Sequence, residues 1–394
     1  MNDNPAQRWR QLALLATAEL LGMSVWFAGS AVAPALRADL SLSASQVGWL
    51  VSGVQLGFVV GTLVAAVLNL PDLIPARRYL PAAALLAAVA NASLLLAGSF
   101  PSALLGRVLT GMALAGVYPP AMKMAATWFR SGRGLAIGTV VGALTVGKAI
   151  PYLLEGAGHL PLVPAVLAPS GAALAAAMLI AIGYRDGPHA FPARPFSWRL
   201  VGEVAAHRKL RDITGGYLGH MWELYAFWAW IPTFLVASFA ARGLQTRHVG
   251  IWGFACVAIG VLGCLCGGWA ADRVGRIPVV RVALVTSGSC ALLSTVVFGG
   301  PPLVVVSVCL VWGVAVIADS AQFSALVTET APTFAVGTAL TLQTSVGFLL
   351  TVASIQLVPI LAAALGWRFA LAALALGPIA GLGAIRMLVR EIPK

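Results

Sequence analysis

The chain has 394 residues, of which 60% are hydrophobic and only 10% are charged, and its mean hydropathy is +0.91. Soluble domains contain about 45 to 50% apolar and about 25% charged residues, so this composition predicts an integral membrane protein. The net charge of +12 is therefore interpreted by where the basic residues fall relative to a bilayer, and nucleic-acid binding is excluded as its explanation.

Twelve hydrophobic segments are long enough to cross a membrane, because a spanning helix needs about 20 mostly apolar residues. We number these segments spans 1 to 12. Their predicted ranges are 11–33, 47–70, 80–98, 104–128, 135–157, 160–183, 213–240, 249–271, 279–298, 303–327, 336–360 and 369–389.

The distribution of basic residues predicts the orientation of the chain. If the N-terminus is cytoplasmic, most Lys and Arg residues lie in cytoplasmic segments and few lie on the opposite face, as the positive-inside rule requires. We therefore predict a protein of the bacterial plasma (inner) membrane with both termini in the cytoplasm. Three bases remain inside predicted spans: Arg107, Lys123 and Lys148.

The middle of the chain is its longest polar stretch. Residues 185–211 are basic and contain prolines, which is typical of a linker. We predict an N-terminal six-helix bundle at 1–184, a central cytoplasmic linker at 185–211 and a C-terminal six-helix bundle at 212–394.

An internal repeat supports this division. When the sequence is shifted by 202 positions, one offset aligns matching residues in several spans, which is the pattern of a transporter built from parallel repeats. The predicted fold is all-α and membrane-embedded, with twelve transmembrane helices in two pseudo-symmetric bundles. The aligned pairs include Trp26 with Trp228, Gly61 with Gly263 and Gly111 with Gly313.

Two motifs resemble those of the major facilitator superfamily. The segment 268–276, between spans 8 and 9, is similar to the family's loop signature G-x-x-x-D-R-x-G-R. In span 4, Arg107 followed by Gly111 and Ala115 at four-residue spacing is similar to the family's helix motif of an arginine with small residues. The resemblance covers the whole chain and implies a transporter with the family's fold.

The resemblance also implies a conformational latch in the loop. Gly268 and Gly275 permit a tight turn, while Asp272 can accept hydrogen bonds from a helix N-terminus and Arg273 and Arg276 can pair with carboxylates. The family implies that this cluster stabilises the state closed to the cytoplasm. The alternative is that these charges form a solvated turn.

The basic residues inside the membrane are candidate substrate ligands. A charge at the centre of a span costs about 2.5 to 3.5 kcal/mol, so each should face a cavity or a partner. Lys148 lies too deep to reach the cytoplasmic surface easily, whereas Lys123 lies closer to it. We predict that Arg107, Lys148 and Lys123 bind substrate. Glu19 in span 1 is a candidate proton site and could pair with Lys123 or Arg107.

Span 7 is rich in aromatic residues and carries the second group of candidates. His220 and Glu223 are three residues apart and so lie near one helix face, where each can tune the other's proton affinity. Asp319 in span 10 is another candidate for proton coupling or gating. The alternative is that Glu223 only supports a helix contact. Aromatic walls would suit an organic solute, and the candidates are Trp26, Trp222 and Tyr225.

These features predict a secondary transporter that moves a small organic anion by alternating access with proton coupling. It would be a monomer among membrane lipids and need no cofactor. The alternative is a proton-coupled exporter of amphipathic or cationic compounds. An enzyme or a receptor is disfavoured because we find no clustered metal ligands and no nucleophile motif in the sequence. The five cysteines lie in apolar runs and are predicted to be core residues, with no metal bound.

Overall fold

The computed structural model describes residues 5–129, 132–156, 161–189, 197–245, 249–332 and 335–390. Across these ranges all regular structure is helical, and eleven helices are long and apolar enough to cross a membrane. Span 1 is not among the eleven; its first helix carries three charged residues, Arg8, Arg10 and Glu19. The chain divides into two compact units, Met1–Pro195 and Phe196–Lys394.

The N-terminal unit contains spans 1 to 6, and spans 1 and 4 are each made of two consecutive helices. A short helix follows span 2 and a turn of 3₁₀ helix follows span 3. The helices are Pro5–Met23 and Ala28–Leu40 (span 1), Ala44–Val67 (span 2), Leu70–Leu73, Ala76–Ala92 (span 3), Ser93–Leu96, Phe100–Leu114 and Tyr118–Ala126 (span 4), Arg133–Gly156 (span 5) and Leu162–Gly183 (span 6).

The C-terminal unit contains spans 7 to 12, and here spans 8 and 10 are each made of two consecutive helices and span 12 of three. The helices are Trp198–Ala206, Arg208–Ala241 (span 7), Val249–Ala258 and Gly260–Val274 (span 8), Arg276–Val297 (span 9), Pro302–Ala318 and Ser320–Thr330 (span 10), Val336–Leu365 (span 11), and Trp367–Ala370, Leu371–Ala375 and Leu376–Arg390 (span 12).

The polar segment predicted as a linker contains more structure than the sequence suggested. The helix Trp198–Ala206 lies inside it, and span 7 already begins at Arg208. Both helices start at a side-chain cap, because Ser197 accepts a hydrogen bond from the amide of Leu200 and His207 accepts one from the amide of Leu210. Residues 190–196 of the predicted linker lie outside the described ranges.

The 202-residue repeat recurs in equivalent helix contacts inside each unit. In the first unit, a Cβ on Gly111 of span 4 would collide with the carbonyl oxygen of Val54 in span 2. In the second unit, a Cβ on Gly313 of span 10 would collide with the carbonyl oxygen of Cys256 in span 8. Small residues thus bring the helix backbones together, as is common in membranes. A second equivalent set pairs Gly61 with the carbonyl of Met112, and Gly263 with that of Val314.

Candidate functional site

Arg107 stabilises the interruption in span 1. Because the helix is broken between Met23 and Ala28, carbonyl groups there need donors from elsewhere. The guanidinium of Arg107 donates to the carbonyl of Val25 at 3.1 Å and to that of Trp26. It also donates to the carbonyl of Leu50 in span 2 at 3.4 Å. All three nitrogens of this buried side chain are therefore bonded to protein.

Asn91 of span 3 extends the Arg107 network to span 6. Its side-chain oxygen accepts a hydrogen bond from Arg107 at 3.1 Å. Its amide nitrogen donates to the carbonyl of Val166 at 3.2 Å and to the hydroxyl of Ser170 at 3.0 Å. One arginine and one asparagine thus join five of the six spans of this unit. These contacts show Arg107 bonded to groups of the protein in this structure, and its role as a substrate ligand stays a prediction.

Spans 1 and 5 bring Glu19 and Lys148 together. They pack so closely that a Cβ on Gly147 would collide with the carbonyl oxygen of Leu20. Their sequence neighbours, Glu19 and Lys148, are both fully buried and interact electrostatically. Neither carboxylate oxygen of Glu19 accepts a hydrogen bond from the described residues. The structure thus gives Glu19 a different partner from the Lys123 or Arg107 suggested by the sequence.

Aromatic rings surround this pair. The ammonium of Lys148 lies 3.6 Å from the ring centroid of Trp26, a cation–π contact that is strengthened when it is desolvated. The ring of Trp26 packs at 5.2 Å, centroid to centroid, against that of Phe58 in span 2. We refer to Glu19, Trp26, Phe58 and Lys148 as the Lys148 cluster.

Glu223 links three spans of the second unit. Its buried carboxylate accepts a hydrogen bond from the hydroxyl of Ser287 in span 9 and one from the indole nitrogen of Trp312 in span 10, both at 2.7 Å. The ring of Trp312 also packs 4.7 Å from that of Phe227. Both carboxylate oxygens are therefore occupied by protein donors.

His220 and Asp319 form a buried pair one turn away from Glu223. His220 Nδ1 lies 2.8 Å from Asp319 Oδ1, and each side chain is at most 2% exposed. Asp319 lies at the junction of the two helices of span 10. The rings of Tyr217 and Phe323 each lie 5.9 Å from the imidazole, centroid to centroid. His220 Nε2 has no hydrogen-bond partner among the described residues.

The remaining predicted ligands lie elsewhere in the spans. Lys123 is partly exposed in the last turn of Tyr118–Ala126. Trp222 donates from its indole nitrogen to the carbonyl of Ala373, at span 12, at 3.1 Å. Tyr225 packs its ring 5.0 Å from that of Phe348 in span 11. The described contacts of Trp222 and Tyr225 thus join span 7 to its neighbours.

In the loop motif only Arg276 forms a charged contact among the described residues, whereas the family motif implied that Asp272, Arg273 and Arg276 act together. Arg276 donates to Glu329 at 2.6 Å and to Gln322 at 2.9 Å, and so ties the start of span 9 to the second helix of span 10. Gly275 adopts φ 87°, which favours glycine and allows span 9 to begin directly after span 8. Gly268 is buried in span 8.

The other two charges of the motif do not take part in that contact. Asp272 is exposed, and no described residue forms a hydrogen bond or an ion pair with it. Arg273 lies with its guanidinium 3.8 Å from the ring centroid of Trp269, one turn earlier on the same helix.

Sequence reasoning missed the neutral polar residues. Asn91, Ser287 and Trp312 hold the charged groups, yet an amide, a hydroxyl or an indole inside an apolar segment does not stand out as a lysine does. Gln55 and Gln343 were missed as well, and both amide atoms of each are buried without a partner in the described residues. A glutamine inside a span is the signal that could have found them. Among the described residues, no three or more His, Cys, Asp or Glu side chains are grouped in a way that could hold a metal ion.

Bundles of spanning helices with paired charges in their interiors are typical of helical membrane transporters. The family model of the Major Facilitator Superfamily matches residues 14–355, and the chain belongs to that family.

One curated protein and several solved structures are similar to this chain. The chain is 28% identical over 163 residues to a "Probable actinorhodin transporter" of Streptomyces coelicolor, a match that takes in 39% of this chain and 28% of that protein. The proton:xylose symporter XylE, bound to 6-bromo-6-deoxy-D-glucose, has a similar fold with a TM-score of 0.77 at 14% identity, over 98% of this chain and 97% of XylE. A bacterial homologue of the human lysosomal transporter Spinster gives 0.71 at 15% identity, over 98% of both chains.

Proposed function

We propose that this protein is a proton-coupled secondary transporter of small organic anions. It would work by alternating access as a monomer in the bacterial plasma membrane, with both termini in the cytoplasm. The observation that carries the proposal is the Glu19 and Lys148 pair, because it joins a buried base to a buried carboxylate that accepts no hydrogen bond from the described residues.

The pair suggests how a proton and an anion are coupled. When Glu19 takes a proton from water, it becomes neutral and no longer balances the charge of Lys148. An unbalanced charge in a low-dielectric interior is costly, by several kcal/mol. A carboxylate of the substrate can then replace Glu19 as the counter-ion. When the proton leaves, Glu19 competes for Lys148 again and the anion is released. Proton and anion thus bind together and leave together.

The second unit contributes another proton site in this proposal. The imidazole of His220 and the carboxylate of Asp319 lie close enough to exchange a proton, and Nε2, which has no partner among the described residues, offers a route in or out. Glu223 differs because its two oxygens are already bonded to Ser287 and Trp312. We infer that Glu223 mainly positions spans 7, 9 and 10, and that the contact of Arg276 with Glu329 serves as the latch.

A second candidate is a proton-coupled exporter of amphipathic or cationic compounds. The similarity to a relative named as an actinorhodin transporter favours export, although it takes in less than half of the chain. In this case Glu19 of the first unit, and Glu223 and Asp319 of the second, are the candidate cation ligands, and the aromatic residues of span 7 would bind the apolar part of the solute. Lys148 would then compete with the solute for Glu19.

A ligand screen separates the two candidates. The thermal unfolding of purified protein is measured with organic anions and with amphipathic cations at two pH values, because a ligand that binds only the folded state raises apparent stability. Stabilisation by anions that is lost in Lys148→Ala supports the proposal, and uptake driven by a proton gradient in proteoliposomes completes it. Stabilisation by cations alone, lost in Glu19→Gln, would support the exporter.

A further inference from the structure

Span 2 has two buried polar residues, Gln55 and Thr62, on the side opposite its glycines. Glycines 53, 57 and 61 lie on one side of the helix and approach span 4, where added Cβ atoms would collide with its residues. With 100° per residue, Gln55 points to the opposite side, and Thr62 lies two turns further on the same side. Both are buried, and neither polar group has a partner among the described residues.

Of these two residues, Gln55 gives the stronger evidence for a binding site. Its amide offers two donors and an acceptor with two lone pairs, and both atoms are enclosed without any hydrogen bond to the described residues. Buried polar groups in proteins nearly always have partners. On a helix that also supplies Phe58 to the Lys148 cluster, an amide left without one indicates a partner that arrives from outside the chain.

Gln55 also lies beside the Lys148 cluster. Phe58 follows it by three residues, so the two side chains are neighbours on the helix, about 4.5 Å apart along its axis. The ring of Phe58 contacts that of Trp26, whose face carries the ammonium of Lys148. The rings of Phe58 and Trp26 therefore connect the position of Gln55 with the ammonium of Lys148. Both rings are buried, so a solute that reaches Lys148 and Gln55 together would have to part them.

We propose that Gln55 hydrogen-bonds the transported solute and selects anions that carry a hydroxyl or carbonyl group. This inference rests on the proposed function, because it takes Lys148 as the site of the anionic group. The substrate class is then an aromatic or similarly flat organic acid: its carboxylate pairs with Lys148, its ring lies on Trp26 and Phe58, and its polar substituent meets Gln55. A site built to bind a hydroxyl strongly rejects the analogue that lacks it.

The test compares matched acids by thermal shift and by uptake into proteoliposomes. The probes are benzoate with 3- and 4-hydroxybenzoate, and phenylacetate with 4-hydroxyphenylacetate. The variants are Gln55→Met, which keeps the length of the side chain but removes its hydrogen bonds, and Gln343→Met as the control, since Gln343 is the other buried amide without a partner among the described residues. Lys148→Met tests the proposed function in parallel.

We expect the unaltered protein to bind at least one hydroxylated acid about tenfold or more tightly than its parent. Gln55→Met should remove this preference but still bind the parent acid, Gln343→Met should keep the preference, and Lys148→Met should lose both acids. An unchanged preference in Gln55→Met overturns the inference and leaves the proposed function standing. If no acid binds, or if Lys148→Met binds as before, both proposals fail.

A folding defect is handled by a second variant. Gln55→Asn keeps an amide but shortens its reach, so it should fold and weaken the preference for the hydroxyl. If Gln55→Met and Gln55→Asn both fail to fold while Gln343→Met folds, the amide stabilises the unit itself and the inference is overturned.

Discussion

His220 Nδ1 lies 2.8 Å from Asp319 Oδ1, at the point where span 10 is interrupted. When a carboxylate and an imidazole lie this close at a helix junction, the protonation of the pair can be coupled to the geometry of that junction. In the proposed mechanism this pair is a second proton site, in addition to Glu19.

Asp319→Asn should uncouple transport from the proton gradient. An imidazolium without its carboxylate would be an unpaired buried charge, which costs about 3 to 5 kcal/mol, so removing the carboxylate should disable the pair as a proton site. We expect proton-driven accumulation to be lost while solute exchange without a gradient continues, both measured in proteoliposomes. Glu203→Gln, at an exposed glutamate, is the control. Accumulation at the normal level in Asp319→Asn would remove this pair from the coupling mechanism.

Arg107→Lys should destabilise the first unit. A lysine ammonium cannot reproduce the planar donor set that reaches Val25, Trp26 and Leu50, and the carbonyls at the break in span 1 would lose their partners at about 1 to 3 kcal/mol each. We expect a lower unfolding temperature in detergent, with Arg37→Lys at an exposed site as the control. If Arg107→Lys unfolds normally but no longer binds substrate, Arg107 is a ligand.

Gly111→Ala and Gly313→Ala should have matching effects. Each added methyl group would collide with a carbonyl oxygen of the neighbouring helix, and overpacking of this kind costs about 1 to 3 kcal/mol. Thermal unfolding should show a similar loss in both variants. Gly383→Ala is the control because a Cβ there meets nothing within 4 Å. An effect in only one variant would contradict the equivalence of the two contacts.

Trp312→Phe should lower stability by about 1 to 3 kcal/mol. It removes the indole donor and leaves one oxygen of the buried Glu223 without a partner. The measurement is again thermal unfolding, and Trp252→Phe, at a tryptophan that is 44% exposed, is the control. If Trp312→Phe is as stable as the control while proton-driven uptake changes, Glu223 has a coupling role beyond the positioning inferred here.

The spans could be predicted from the sequence because hydropathy and length determine which segments can cross a bilayer. The interruption of span 1 could not, because residues 24–27 contain neither glycine nor proline. It depends on hydrogen bonds from Arg107, which is about 80 residues further along the chain. The sequence identifies Arg107 as an unusual residue inside a span. The residues near it do not indicate which carbonyl groups its guanidinium reaches.

The charged residues of the candidate site could be predicted from the sequence, but which of them pair with each other could not. Hydropathy alone marks Glu19, Lys148, His220 and Asp319 as residues that need partners. The partner depends on which helix faces meet, and that is decided by close approaches such as the one at Gly147. Glu19 therefore meets Lys148 in the structure.

The contacts that recur at an offset of 202 residues have a consequence for how the two units can diverge. In each contact a glycine meets a main-chain carbonyl group. The close packing of the two helices therefore does not depend on which side chains the rest of either helix carries. The positions equivalent to Glu19 and Lys148 are Met221 and Leu350 in the other unit. Each unit can thus lose one ion pair or acquire another while these backbone contacts between its helices stay the same.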